Sequence, residues 1–227
     1  MSDQLRVITT EDGSSSIYDA GLDETYHSTH GAIQESNHVY IKAGLNYWLS
    51  QNAGKPIEIL EVGMGTGLNV ILTLKAQLEI GFPIRYTAIE PYPVGQKILE
   101  ALNYKEKLNH SIVSELFDRL HELPWGQVSS LSLEFNLEKL EQTFQDFMSD
   151  QTFDLVYYDA FAPEKQAELW DRQWLQKVHY LLNPGGIICS YCAKGDFKRN
   201  LKAIGFKVER LSGPPGKAQM IRALKLG

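Results

Sequence analysis

The chain has 227 residues, 43% of them hydrophobic and 22% charged. That is enough apolar material for one α/β-sized core and too much for a disordered chain. No apolar run is long enough to span a membrane, the polar start carries no signal-peptide core, and two cysteines exclude a disulfide framework, so a cytoplasmic protein is expected. The formal net charge of −6 argues against a nucleic-acid partner, but it is unevenly spread. Residues 194–227 hold nine Lys and Arg against two acids, a net +7, while the rest of the chain holds 13 basic and 26 acidic residues, a net −13. Such segregation marks either an interaction surface or a set of solvated lysines on a terminal helix and strand.

Residues 1–35 carry Gly, Ser and Asp and lack strong periodicity. From there apolar runs and helical patterns alternate. Residues 57–63 (IEILEVG) predict a strand, 68–80 a helix, 84–90 a strand and 94–108 a helix. Residues 109–129 look like an insertion with a short amphipathic helix ended by Pro124. A strand is expected at 130–135, an amphipathic helix at 137–148, a strand at 153–159, a helix at 167–182 and a strand at 186–192. A helix near 196–204 and strands at 206–211 and 217–224 complete the chain. Short-spaced alternation predicts a doubly wound, mostly parallel sheet. The last two strands have only a GPPG turn between them and so should form an antiparallel hairpin at the sheet edge.

The sharpest local signal is EVGMGTGLN (61–69), where a strand ends and a helix begins. Glycines there allow close backbone approach to a ligand, or simply a tight strand-to-helix turn. The dinucleotide fingerprint fails because Leu68 stands where its third glycine would be, and the P-loop fails because no Gly-Lys-Ser/Thr follows. The spacing acid-x-G-x-G-x-G, over Glu61, Gly63, Gly65 and Gly67, resembles motif I of class I S-adenosylmethionine-dependent methyltransferases. Glu90 ends the next strand, 23 residues after Gly67, where an acid commonly accepts both hydroxyls of a ribose. After the 130–135 strand, many methyltransferases carry an acid for the adenine amino group. Here Asn136 stands there, able to accept through its carbonyl, with Phe135 available to stack.

Asp159-Ala-Phe161-Ala-Pro163 closes the 153–159 strand, so Asp159 should face the same crevice as Glu61 and Glu90. A carboxylate flanked by an aromatic ring and a proline resembles the signature of amino-group methyltransferases. An alkylamine is mostly ammonium at neutral pH and has no lone pair to attack with. A neighbouring carboxylate can orient it and accept its proton.

The segments at 23–45, 61–69, 157–170, 182–191 and 213–223 together resemble the methyltransferase domain of the bifunctional tRNA-modification protein MnmC and its stand-alone form MnmD, over 17–224. The resemblance implies a class I Rossmann-like α/β fold and S-adenosylmethionine as cofactor. It also implies N-methylation of the 5-aminomethyl group of 2-thiouridine at the tRNA wobble position, without the flavin oxidase domain of the bifunctional members. It puts Gly63, Gly65 and Gly67 around the methionine part of the cofactor, with Glu61 and Tyr26 also at the cofactor and Glu90 on its ribose. Asp159 becomes the amine acceptor, with Phe161 and Pro163 shaping the uridine pocket. Tyr26, Ser28, Gly31 and Glu35 fall in an N-terminal segment, 1–50, expected to fold over the cofactor site of a core domain at 51–227. Lys217 stands where the family has basic residues and would meet the RNA backbone, with tRNA docking near Lys198, Arg199 and Lys217. Asn136 and the 109–129 segment depart from the pattern.

Other residues read more simply. Cys189 and Cys192 lack a second ligand pair for zinc, so no metal is expected. His27 either lines the active-site mouth or lies on the surface, and Trp170 and Trp174, four apart on a helix, fit core packing. Two other functions stay open: methylation of a small-molecule or protein amine, which suits the −13 body, and a cofactor-binding module that recognises RNA without chemistry.

Overall fold

A computed structural model describes residues 4–227, so the first three residues of the 1–50 segment lie outside the described range. At the N-terminus, β1 (Leu5–Thr9), β2 (Ser15–Asp19) and β3 (Glu24–Thr25) form a small antiparallel sheet where the sequence shows no periodicity. Polar side chains build its first turn: Asp12 Oδ1 accepts from the Thr10 hydroxyl at 2.8 Å and the Ser14 amide at 2.9 Å. The other Asp12 oxygen accepts from the Gln34 amide at 3.0 Å, tying that turn to the helix that follows.

That helix runs continuously through α1 (Ala32–Ser36), a π-helical stretch (Asn37–Asn46) and α2 (Tyr47–Gln51). Its π-helical part buries Val39, Tyr40, Ile41 and Leu45. Gly44 lets it lie close on the main sheet, since a Cβ there would stand 3.3 Å from the Tyr157 ring and 3.4 Å from Cys189 Sγ.

The main body alternates β4 (Ile57–Val62), α3 (Leu68–Ile80), β5 (Ile84–Ile89), α4 (Gln96–Glu100), α5 (Tyr104–Leu108), α6 (Ser111–Glu122), β6 (Val128–Ser132) and β7 (Phe135–Leu140). It continues with β8 (Phe153–Tyr158), α7 (Arg172–Leu181), β9 (Leu182–Ser190), α8 (Gly195–Ile204), β10 (Phe206–Ser212) and β11 (Gln219–Lys225). The eight strands of the main sheet lie in the order β10-β11-β9-β8-β4-β5-β7-β6. β4, β5, β7, β8 and β9 pair in parallel, β6 pairs antiparallel with β7, and the hairpin β10–β11 is antiparallel and joins β9 through β11. The chain moves from β4 to β5 on one side and later returns to β8 on the other. The strand order therefore reverses at β4, the position where doubly wound sheets open a ligand crevice.

The pleat divides the core. Ile57, Ile59 and Tyr157 pack with α3 and the N-terminal helix, whereas Leu60, Val62 and Tyr158 pack with α7 and α8. By the same alternation Glu61 and Asp159 face the first side.

Two expected elements are corrected: the strand expected at 130–135 is broken by a turn at 133–134 between β6 and β7, and the helix expected next is absent. Residues 137–148 are not a helix: β7 occupies Phe135–Leu140 and irregular chain follows. Apolar positions 137, 140, 144 and 147 suit a helical period, but Phe135, Leu137 and Lys139 are buried while their neighbours are not, which is a strand's period of two. β5 needed a partner on that edge, and β7 supplies it in parallel from Ile84↔Phe135 to Ile89↔Leu140. The helix expected at 94–108 is divided into α4 and α5.

Lys139, only 1% exposed, shows how the inserted helix is fastened. Its Nζ donates to the carbonyls of Leu120 at 2.8 Å and His121 at 3.2 Å, at the C-terminal end of α6. A cation there also meets the negative end of the helix dipole. Lys139→Ala should leave both buried carbonyls unpaired and lower unfolding stability by about 1–3 kcal/mol in urea denaturation.

Candidate active site

A cavity of about 640 Å³ opens at the carboxyl ends of β4, β5, β7 and β8. That volume is in the range of ordinary ligand sites. Val62–Gly65 form its floor, Ile89–Tyr92 and 143–145 one wall, and residues 159–162 another. Residues 24–30 and Glu35 close over it, and Tyr191, Gly216 and Lys217 reach it from the C-terminal side.

The floor is set by three backbone hydrogen bonds. Gly63 and Met64 both donate to the Ile89 carbonyl, at 3.0 and 3.1 Å, and the Asp159 amide donates to the Val62 carbonyl at 3.0 Å. Gly63 has φ of +92°, and a Cβ on it would lie 2.5 Å from the Asp159 carbonyl oxygen. Gly65, at φ +50°, leaves room for the Tyr26 ring, which a Cβ would approach to 3.1 Å. Gly67 does not line the cavity. It caps α3 in the left-handed region, and a Cβ on it would press on Leu120 at 2.9 Å.

Three acids stand at or beneath this floor in different surroundings. Glu90 lines the cavity and bridges its two nearest loops, accepting from the Gly65 amide through one oxygen and the Tyr92 amide through the other, both at 2.9 Å. Burial raises its pKa, and the two amides pull it back down. Asp159 also faces the cavity. Its Oδ1 accepts from the Tyr40 hydroxyl at 2.6 Å and its Oδ2 from Asn69 Nδ2 at 2.8 Å. Burial pushes its pKa up to about 7, against the two donors, with Glu35 adding to the rise and Lys217 opposing it. Glu61 is fully buried; its Oε1 takes the second Asn69 hydrogen at 2.8 Å and its Oε2 has no partner. Burial raises its pKa well above the ordinary carboxylate value, against the Asn69 hydrogen bond.

Tyr26 meets Phe161 edge-on with ring centroids 5.1 Å apart, and both line the cavity. Lys217 pairs with the buried Glu35 and lies 4.0 Å from the centroid of the Tyr191 ring. Glu35 in turn accepts from the Ser28 amide at 3.0 Å, and the Tyr191 hydroxyl donates to the Ala160 carbonyl at 2.8 Å. His27 lines the cavity as a buried residue, and burial lowers its pKa to about 4, so its ring is neutral.

The structure therefore brings together Gly63, Gly65, Glu90, Asp159, Tyr26, Phe161 and Lys217. It separates four expected site residues from them. Glu61 points under the glycine loop rather than into the cavity, because the strand's pleat turns it toward α3. Gly67 and Pro163 are not among the residues that line the cavity. Asn136 is the clearest correction: it is exposed near the start of β7, opposite Arg85, at the amino end of the sheet. Phe135 is buried against Tyr86, 5.8 Å between centroids, and is not free to stack on a ligand. The cavity-facing chain after that strand is 143–145. Tyr40 and Asn69 were missed; only Asn69, inside the glycine motif, carried a local signal.

The basic C-terminal segment is partly neutralised internally. Lys194 pairs with Glu164, Arg199 with Asp196, Lys217 with Glu35 and Arg222 with Glu209. Lys217 thus belongs to the cavity wall, paired with a buried acid. Among the described residues, no group of three or more His, Cys, Asp or Glu could hold a metal ion, and no helix is long and apolar enough to cross a membrane.

A glycine-floored crevice at the strand-order reversal of a doubly wound sheet, with an acid closing the neighbouring strand, defines a class I methyltransferase fold. A family model for S-adenosyl-L-methionine-dependent methyltransferases matches residues 110–226, and the chain belongs to that family. Its cofactor is S-adenosylmethionine. The chain is 27% identical over 208 residues to the tRNA 5-methylaminomethyl-2-thiouridine biosynthesis bifunctional protein MnmC of Leptospira interrogans, covering 88% of this chain and 32% of that protein. It is 28% identical over 215 residues to the MnmC of Cupriavidus necator, covering 89% of this chain and 32% of that one. The chain spans about a third of the length of these curated relatives. The crystal structure of MnmC2 from Aquifex aeolicus superposes with a TM-score of 0.77 at 23% identity, covering 96% of this chain and 70% of the other.

Gly63→Ala should force the loop away from Asp159. Its melting temperature should fall, and the rise in melting temperature on adding S-adenosylmethionine should disappear. Gly54→Ala is the control, because Gly54 also has positive φ, +74°, but open space around it; it should lose only the backbone preference, about 1 kcal/mol, and keep the cofactor response.

Proposed function

We propose that this chain methylates the primary amine of 5-aminomethyl-2-thiouridine at the wobble position of tRNA, using S-adenosylmethionine, and that it works in the cytoplasm. The observation that carries the reading is Asp159: a carboxylate held by two donors beside the glycine floor, with Phe161 and Tyr191 next to it. The names of its bifunctional relatives, each concerned with tRNA 5-methylaminomethyl-2-thiouridine biosynthesis, support the substrate.

The residues present fit the cofactor. Gly63 and Gly65 let the floor pass close against the Asp159 backbone and the Tyr26 ring, and Glu90 offers a carboxylate fixed at both oxygens. In this reading Gly63 and Gly65 pass beneath the methionine part, Glu90 receives the ribose hydroxyls, and the 143–145 segment takes the adenine side that Asn136 cannot reach. Tyr26 and the rest of the N-terminal segment cover the cofactor, over a core domain beginning near residue 51. When bound, S-adenosylmethionine supplies a methyl sulfonium, already a strong electrophile.

The remaining task belongs to the protein: to present an unprotonated amine. A free amine with a lysine-like pKa must lose a proton before it can attack. Handing that proton to an ordinary aspartate costs about 9 kcal/mol, and to one with a pKa of about 7 costs about 5 kcal/mol. Burial of Asp159 therefore favours the transfer. Phe161 and Tyr191 shape the space for a planar base, and Lys217, held by Glu35, faces the same space.

The direct test incubates the purified protein with S-adenosylmethionine and tRNA carrying 5-aminomethyl-2-thiouridine, followed by nucleoside mass spectrometry. One methyl group should appear on that nucleoside, and Asp159→Asn should lower its formation at least a hundredfold while cofactor affinity changes little. Methylation of free amines or protein lysines with the tRNA left untouched would move the activity to the competing class of acceptors.

The kcat/KM of the wild type should rise with pH and level off through the Asp159 transition near pH 7, since only the carboxylate form accepts a proton. Replacing Glu90 with Ala should weaken S-adenosylmethionine binding about tenfold to a hundredfold in calorimetry, the worth of hydrogen bonds to a charged group.

A further inference from the structure

We propose that Tyr40 and Asn69 are positioning residues: from opposite sides they lock the Asp159 carboxylate in the one orientation that presents its free lone pairs to the amine. The inference rests on the reading of Asp159 as amine acceptor. It adds two residues that neither the glycine loop nor the DAFAP segment contains in a catalytic role.

Each carboxylate oxygen has two acceptor directions. The Tyr40 hydroxyl fills one on Oδ1 at 2.6 Å, and Asn69 Nδ2 fills one on Oδ2 at 2.8 Å. With both ends held, turning the carboxylate about its Cβ–Cγ bond would break these hydrogen bonds, and Asp159 lines the cavity. The two donors come from elements that are themselves fixed. Tyr40 lies in the π-helical stretch Asn37–Asn46, a winding that recurs at functional sites, and its ring packs 5.1 Å from that of Tyr157, two residues before Asp159. Asn69 is the second residue of α3, buried, and its amide spans two carboxyl groups, Asp159 and Glu61.

That bridge also fixes which way Asn69 points. Facing two carboxyl oxygens, only its NH₂ can donate to both; a flipped amide would set its oxygen against them. Glu61 then serves as the buried anchor for Asn69. Glu61 sits where no solvent reaches, whereas Asp159 lines the cavity.

The groups facing Asp159 are Tyr40 and Glu35 from the N-terminal helix, Glu61 from β4, Tyr86 from β5, Tyr191 beyond β9 and Lys217 from the hairpin turn. Of the titratable ones, only Tyr40 hydrogen-bonds to it. Removing that donor therefore removes a stabiliser of the ionised form and leaves the surrounding charges in place.

The test compares Tyr40→Phe, which keeps the ring packing, and Asn69→Ala with wild type and with Asp159→Asn. Each single variant should lower kcat about tenfold to a hundredfold, with the Kd for S-adenosylmethionine within about threefold of wild type. The rising limb of the pH profile of Tyr40→Phe should move to higher pH. In the Asp159→Asn background, Tyr40→Phe should cost nothing further, because the group it positions is gone. If Asp159→Asn turns over normally, the acceptor reading itself fails. If Asp159→Asn is inactive while Tyr40→Phe keeps wild-type kcat and pH limb, the acceptor reading stands and the positioning role is overturned. A loss in Tyr40→Phe that tracks weakened cofactor binding, with the pH limb unmoved, equally overturns positioning. Tyr40→Phe keeps the test decisive should Asn69→Ala fail to fold.

Discussion

The geometry of the site depends on one backbone contact, the close passage of Gly63 under Asp159. The Asp159 amide bonds to the Val62 carbonyl, and the Asp159 carbonyl lies where a Gly63 side chain would begin. This locks the ends of β4 and β8 in register. The loop that floors the cavity and the acid that faces it are thereby placed by the same hydrogen-bond ladder. Two further amides, from Gly63 and Met64 to Ile89, bring the end of β5 and with it Glu90 into the same frame. A crevice with acids from three adjacent strands follows from that ladder rather than from any loop's own preference.

Gathering three carboxyl groups in a partly buried crevice is costly unless each is handled. The structure handles each differently. Glu90 accepts from two backbone amides, Glu61 is fully buried beside Asn69 with its pKa raised by burial, and Asp159 has a hydroxyl and an amide on its oxygens. A fourth acid, Glu35, is neutralised by Lys217 from the far end of the chain. The two ends of the protein meet at that pair, so the cavity roof depends on the N-terminal helix and the C-terminal hairpin being docked together. The same pairing accounts for part of the charge segregation: four of the nine basic residues in the last segment sit opposite acids.

Legibility in the sequence followed how local the cause was. The glycine loop was readable because a strand-to-helix turn with positive φ demands glycine wherever it occurs. Glu90 and Asp159 were readable because a strand's last residue is marked by the end of its apolar run. The hairpin was readable from its proline and glycine turn. Residues 137–148 were not, because their leucines and phenylalanines fit both a helix and a strand, and the unpaired edge of β5 decided between them. Together with the break in the strand expected at 130–135, that change carried Asn136 to the other end of the sheet. The N-terminal sheet was hidden because its turns are held by hydroxyls and a carboxylate instead of by apolar alternation.

The sequence by itself determined the class of fold, the glycine loop and the acids at the ends of three strands, because each rests on a short-range rule of backbone conformation or hydrophobic period. Only the tertiary structure decided which way those acids point and what surrounds them. The pleat turns Glu61 beneath the loop and leaves Asp159 at the cavity, although both look like strand-end acids in one dimension. Tyr40 stands 119 residues from Asp159 in the chain and Lys217 stands 182 from Glu35. Contacts at that separation exist only once the sheet has closed its register and the helices have packed, and they set the charge and the orientation of the group at the centre of the site.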